Sequence, residues 1–229
     1  MHPAVGLAIA YVLGSIPAAY IAGRLVRGID LREHGSGNLG ATNAYRVLGA
    51  KTATVVMLFD AAKGALPVLF FPQWTASPRP ALWAIAYGVA AIVGHVRPIF
   101  LLWKGGGKGV ATATGVFLAL AWLPALIAVA VWLTVILRSG YVSLASLCAA
   151  VVLPIALAFT EGVGSPLFVV AIAVGIFVFW SHRANIGRLR RGEEHRFGAK
   201  RQPAASAGGP WDATSPAASH GTDPGTPPR

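Results

Sequence analysis

Six apolar runs, at residues 4–23, 52–72, 81–103, 109–137, 142–160 and 165–181, leave this chain few options other than a bilayer. Each approaches or exceeds the ~20 residues that an α-helix needs to cross a hydrocarbon core of about 30 Å. Lipid offers no partner for backbone N–H and C=O groups, so such runs must satisfy their own and fold as helices. Only 12% of the 229 residues are charged, against roughly a quarter in a soluble domain. The expected fold is therefore all-α, a polytopic integral membrane bundle.

The count of crossings turns on residues 109–137, a run long for one helix and short for two. Leu123-Pro124 near its middle favours a turn or kink there. Charge supplies a second criterion. Arg24, Arg27, Arg32, Arg46 and Lys51 follow the first run, Lys104 and Lys108 the third, Arg138 the fourth, and seven more bases lie between Arg183 and Arg201. Loops 73–80 and 161–164 hold only Arg79. If 109–137 is two short helices, every basic loop falls on one side, as cytoplasmic loops do. The expectation is seven transmembrane helices, with the amino end outside and the carboxyl end in the cytoplasm. Short spans of this kind need bilayer thinning or burial against neighbours.

The first run follows Met1–Pro3 with no basic leader, so it reads as a retained span rather than a cleaved signal. The net charge of +11 sits at the ends of apolar runs and marks a membrane face and anionic headgroups, not nucleic acid. One cysteine, Cys148, permits neither a disulfide within the chain nor a cysteine-based metal site. From Ala199 the composition turns to Ala, Gly, Pro, Ser and Thr, too poor in apolar residues to offset ordering entropy. The chain thus divides into a membrane domain, residues 1–198, and a disordered cytoplasmic tail, 199–229, whose removal should leave activity nearly intact.

Three basic, glycine-bearing segments carry the chemistry: GSGNLGATNAYR (35–46), KGGGKGVAT (104–112) and SHRANIGRLRRGEE (181–194). Bare amides beside a guanidinium or ammonium suit an anion such as phosphate. Each segment alone also reads as a turn with capping residues or interfacial cations. The second is not a nucleotide-binding loop: Leu102 stands where its first glycine must be, and Gly109 follows the lysine in place of Ser or Thr. His95 and Arg97 lie inside an apolar run, where ionisable groups tend to face a cavity. A histidine there can equally hydrogen-bond a neighbouring helix. Asp60 and Lys63 share a helical face and read as a self-neutralising pair. His182 and Asn185 share another, beside Arg183.

With these segments in order, the chain resembles the bacterial acyl-phosphate:glycerol-3-phosphate acyltransferase family, PlsY type. The likeness runs from Gly14-Ser15-Ile16-Pro17 to Glu194 and rests on GSGNLGATNAYRVLG with DAAKG, on GHVRPIFLLWKGGGKGVAT and on HRANIGRLRRGEE. It implies a seven-helix fold, no metal and no cofactor. It also implies a bacterial inner-membrane enzyme, facing the cytoplasm, that moves an acyl group from acyl phosphate to the 1-hydroxyl of glycerol-3-phosphate. Lysophosphatidic acid and phosphate would be the products, in phospholipid synthesis. Carried over by motif, the catalytic candidates are Ser36, Arg46, Lys108, His182 and Asn185. The substrate-binding candidates are Gly37, Asn38, Asn43, His95, Lys104, Gly106, Gly107, Ser143 and Glu194. This chain has three glycines, Gly105 to Gly107, where the family usually shows two, and Lys108 is favoured over Lys104 as the phosphate contact.

Phosphate is a good leaving group, so this transfer requires no covalent intermediate. It requires two phosphates held without repulsion, an aimed hydroxyl and support for an oxyanion. Arg46, Lys108 and loop amides can supply these, with apolar spans taking the acyl chain at roughly 0.8 kcal/mol per buried CH₂. Either His182 or a substrate phosphate oxygen can accept the hydroxyl proton. Acyl-thioester transferases that use His followed five residues on by Asp lose ground, because Leu39, Phe100 and Gly187 stand five beyond His34, His95 and His182. No Asp-rich motif for metal-dependent headgroup transfer is present. An inverted repeat with interrupted helices would support a phosphate transporter, and the Leu123-Pro124 break has no convincing partner elsewhere. A scaffold for lipid enzymes would not need three anion-friendly loops. The expected partners are the two substrates and membrane lipid, with no nucleic acid and no obligate protein.

Overall fold

The computed structural model describes residues 1–198. The tail expected at 199–229 lies outside the described residues. Ten α-helices and no strands make up the described part: α1 (Pro3–Ser15), α2 (Ala18–Arg27), α3 (Ala41–Leu48), α4 (Ala50–Trp74), α5 (Pro80–Val96), α6 (Val110–Leu120), α7 (Trp122–Ser139), α8 (Val142–Thr160), α9 (Pro166–Ser181) and α10 (Arg183–Arg190).

Local sequence sets where these helices begin and end. Pro80 and Pro166 start α5 and α9, where a missing N–H costs nothing, and the Ser165 hydroxyl caps α9 by accepting from the Phe168 amide at 3.1 Å. Gly28 and Gly140 stop α2 and α7 in the left-handed conformation, with φ of 67° and 75°. Pro17 breaks the first apolar run: it restricts Ile16 to extended backbone, ψ 114°, so α1 and α2 meet at a bend.

The run 109–137 does divide, but at Ala121 rather than at Leu123-Pro124. Ala121 adopts φ −149° and ψ 78°, and Pro124 falls in the first turn of α7, where no backbone bond is lost. Five helical stretches are long and apolar enough to cross a bilayer: Pro3–Arg27, Ala50–Trp74, Pro80–Leu101, Trp122–Ser139 and Val142–Thr160. Pro166–Ser181 with Arg183–Arg190, bent by 58°, makes a sixth. The remaining apolar helix, α6, has 11 residues and rises about 16 Å, half of a hydrocarbon core. The division expected from charge is present, while a seventh full crossing is more than α6 can span alone.

Helices α1 and α5 pack together, α4 lies against α5 and α6, and α8 bridges α7 and α9. Small residues permit the closest crossing: a Cβ on Gly14 would strike the Ala91 backbone, and one on Gly94 the carbonyl of Tyr11. Lipid supplies no hydrophobic drive between helices, so such close backbone approach is what holds them. Tyr87, Phe117 and Leu157 are fully buried, while Leu25, Leu137 and Phe159 are more than four-fifths exposed. An exterior of that kind suits hydrocarbon and not water.

The helix ends sort consistently. Polar segments meet the N-termini of α4, α6 and α8 and the C-termini of α5, α7 and α9. The connections 75–79 and 161–165 lie at the other end of those helices.

Candidate active site

The first motif is folded around one asparagine. Asn43 on α3 accepts from the Ser36 amide at 2.8 Å and donates through Nδ2 to the carbonyls of Leu31 (3.2 Å) and His34 (3.0 Å). Its hydrogen-bonding capacity is spent on the loop, so it shapes the segment from within. Asp30, also buried, accepts from the Arg32 amide at 2.9 Å and from its guanidinium at 2.6 Å. That guanidinium bond, opposed by burial, holds the Asp30 carboxyl down at about 2. The loop so fixed leaves the Ser36 side chain exposed and places Gly37 at φ 70°. Asn38 Nδ2 donates to the Gly106 carbonyl at 3.4 Å, which joins the first motif to the second. Arg46 is half-buried on α3, and among the described residues no carboxylate lies within ion-pair distance of it.

The second motif follows two non-glycine residues in left-handed backbone, Leu102 at φ 51° and Trp103 at φ 60°. Trp103 Nε1 donates to the Tyr11 hydroxyl at 2.8 Å, and Arg97 donates to the Trp103 carbonyl at 3.3 Å. The glycines then differ from the open cradle that their sequence predicts. The Gly107 amide donates to the His95 carbonyl at 3.3 Å, and a Cβ on Gly106 would strike the Val96 carbonyl. They are small because the loop lies on the last turn of α5. Lys104 is exposed, whereas Lys108, half-buried at the start of α6, donates from Nζ to Asn185 Oδ1 on α10.

The third motif begins where α9 bends. His182 is buried, and its Nδ1 lies 2.8 Å from the Val178 carbonyl. A carbonyl only accepts, so Nδ1 carries the proton and the neutral ring keeps its lone pair on Nε2. Asn185 Nδ2 donates to Glu194 Oε1 at 2.7 Å, the Ser143 hydroxyl donates to the same oxygen at 2.9 Å, and Arg188 Nε donates to Oε2 at 2.7 Å. Burial opposes ionisation of Glu194, but these three donors outweigh it and hold the carboxyl below its usual range. Beyond Glu194, Phe197 stacks on Tyr45 with ring centroids 4.3 Å apart, and its amide donates to the Gly140 carbonyl at 2.6 Å. The end of the domain is thereby strapped to α3 beside Arg46.

Of the three cations in this cluster, Arg188 pairs with Glu194, while Arg46 and Lys108 feel that charge from beyond ion-pair distance. Burial, reinforced by Arg188 and Arg46 and opposed by Glu194, pushes the Lys108 ammonium down to about 8. Burial likewise lowers the Arg46 guanidinium. Excess positive charge, partly removed from water, is the electrostatic demand of a site that takes an anion.

The predicted residues thus separate by position. Arg46, Lys108, Ser143, His182, Asn185 and Glu194 gather at one end of the bundle, and Asn38 joins them through Gly106. Ser36 and Lys104 lie exposed without side-chain hydrogen bonds among the described residues. His95 points inward: its Nδ1 is 3.4 Å from Asp60 Oδ1, which also pairs with Lys63 Nζ at 2.7 Å. Arg188 escaped the sequence reading because it stands among several bases of α10. Its only distinguishing mark is the spacing of six residues to Glu194.

A helical membrane protein with a basic polar cluster at one end of its bundle is the class that fold and site define. The glycerol-3-phosphate acyltransferase family model matches residues 4–192. The glycerol-3-phosphate acyltransferase of Synechococcus sp. (strain CC9902) is 45% identical over 195 residues, 85% of this chain and 94% of that protein. That of Geobacter sulfurreducens is 44% identical over 194 residues, 84% of this chain and 96% of the relative. The crystal structure of PlsY, an integral membrane glycerol 3-phosphate acyltransferase, in its glycerol 3-phosphate form superposes with a TM-score of 0.76 at 38% identity, covering 86% of this chain and 96% of that one. Its lysophosphatidic acid form gives 0.74 at 39% identity, covering 86% and 95%. This chain belongs to the glycerol-3-phosphate acyltransferase family, PlsY type.

Proposed function

We propose that this membrane acyltransferase moves a fatty acyl group from an acyl phosphate to the 1-hydroxyl of glycerol-3-phosphate. It thereby releases lysophosphatidic acid and inorganic phosphate into phospholipid synthesis. The observation that carries the reading is a surplus of cations: Arg188 pairs with Glu194, while Arg46 and Lys108, close enough to feel that charge, have no carboxylate within ion-pair distance among the described residues. Two phosphoryl groups must approach one another for this reaction, and their repulsion is what such a surplus offsets.

Lys108 and Arg46 hold the phosphate of glycerol-3-phosphate, with the Ser36 hydroxyl and the unpaired first amides of α6 as further donors. Glu194 acts through others, fixing Asn185, Ser143 and Arg188 in place. The glycerol oxygen attacks the acyl carbonyl carbon, the bond from that carbon to the phosphate oxygen breaks, and phosphate leaves with the electron pair. The hydroxyl proton ends on a phosphate oxygen. His182 Nε2 accepts a hydrogen bond from the attacking hydroxyl and aims it. Its Nδ1–H is held by a backbone carbonyl rather than a carboxylate, which favours orientation over full proton abstraction. No step calls for a metal or cofactor.

The reading puts the reaction at the cytoplasmic face of a bacterial inner membrane, and the basic ends of the helices support it. Purified protein given labelled glycerol-3-phosphate should form lysolipid and phosphate in equal amounts from acyl phosphate, and none from acyl-thioester. Lysolipid formed from acyl-thioester alone would overturn the donor assignment. His182→Ala should raise KM for glycerol-3-phosphate more than it lowers kcat, whereas a collapse of kcat at constant KM would make His182 the base.

A further inference from the structure

We propose that His95, oriented by Asp60 and Lys63, is the seat on which the glycine loop rests, and hence a positioning residue for Lys108. The proposal rests on Lys108 binding the substrate phosphate. Four observations converge on it. Asp60, Lys63 and His95 are all buried within helices α4 and α5, where an ionisable group is expensive unless it is used. Asp60 Oδ1 lies 2.7 Å from Lys63 Nζ and 3.4 Å from His95 Nδ1, so one carboxylate oxygen anchors both. Lys63 Nζ also donates to the Ile16 carbonyl at 2.8 Å, locking the triad to the bend between α1 and α2. On its far side the imidazole faces the loop: a Cβ on Gly107 would run into His95 Nε2, and the Gly107 amide donates to the His95 carbonyl.

The ring is thus a spacer between a fixed carboxylate and the backbone immediately preceding Lys108. Its height and tilt set where the lysine leaves the loop. Nδ1 is directed at Asp60, and Nε2 faces the position that a Cβ on Gly107 would take. On this placement His95 acts on the reaction through the loop.

The geometry gives a compensating pair. Gly107→Ala should raise KM for glycerol-3-phosphate about ten-fold while kcat changes less than about three-fold. His95→Asn keeps a donor toward Asp60 but removes the Nε2 atom that the new methyl meets, and alone should raise KM by a smaller factor. In the double variant the methyl fits the vacated space, so KM should fall below that of Gly107→Ala alone. A double variant whose KM equals the product of the two single effects would overturn the proposal, as would losses confined to kcat. The pair Asp60→Leu/Lys63→Met tests it by a second route, since apolar replacement of a buried ion pair is usually tolerated in folding. That pair should raise KM, and Gly107→Ala added to it should cost less than its own factor. Wild-type protein that turned over no glycerol-3-phosphate would defeat the functional reading instead. Normal wild-type turnover with multiplicative single effects defeats this inference alone.

Discussion

At the scale of single residues, chemistry and placement part company. Arg46, Lys108, His182 and Asn185 announce themselves by type, and they do gather. Asn43 and Gly107 look like ligands in the sequence because Asn and Gly suit anion-binding turns. Yet Asn43 spends its side chain on Ser36, Leu31 and His34, and Gly107 spends its amide on His95. A sequence shows which groups a residue owns and not which of them its own fold consumes. Lys108 yields a pH prediction. In the free protein its ammonium is pushed down to about 8, so the charge that attracts phosphate is present below that pH and lost above it. KM for glycerol-3-phosphate should therefore rise as pH climbs through about 8, by up to roughly ten-fold per unit. Lys108→Arg should move that rise to higher pH, since arginine stays protonated. An unchanged profile in Lys108→Arg would assign the titration elsewhere.

At the scale of elements, long apolar runs translate directly into helices, because lipid leaves the backbone no alternative. Breaks translate less directly. Pro17 does end α1, whereas Pro67, Pro72 and Pro154 lie inside helices and Pro124 sits in the first turn of one. The real division between α6 and α7 falls at Ala121, a residue with no intrinsic signal, because tertiary packing chooses the point. Helix crossings are equally silent in sequence until partners are known: Gly94 reads as any glycine, yet a side chain there meets the Tyr11 carbonyl. Gly94→Leu should separate α1 from α5 and destabilise the protein by about 2–3 kcal/mol, read as a fall of several degrees in the melting temperature in detergent. An unchanged melting temperature would show that the crossing is looser than described.

At the scale of the whole molecule, segments about 70 residues apart in the chain form one polar surface, as the bond from Asn38 to Gly106 and that from Lys108 to Asn185 require. Charge distribution made that convergence legible before any coordinates, since basic loops belong on one side. It also implies an orientation. In inverted and right-side-out vesicles, Lys104→Cys should react with an impermeant maleimide only from the cytoplasmic face, and Gly164→Cys only from the opposite face. Both positions are exposed, and labelling of the two from one face would reject the arrangement.

The central claim is that motifs on α3, at the start of α6 and on α10 build one phosphate-binding site. Titration calorimetry of glycerol-3-phosphate against wild-type, Arg46→Ala, Lys108→Ala and Asn185→Ala protein tests it most directly. Each substitution should weaken Kd by at least about ten-fold, a loss of ~1.4 kcal/mol or more. Wild-type affinity retained in any one of the three would contradict a shared site.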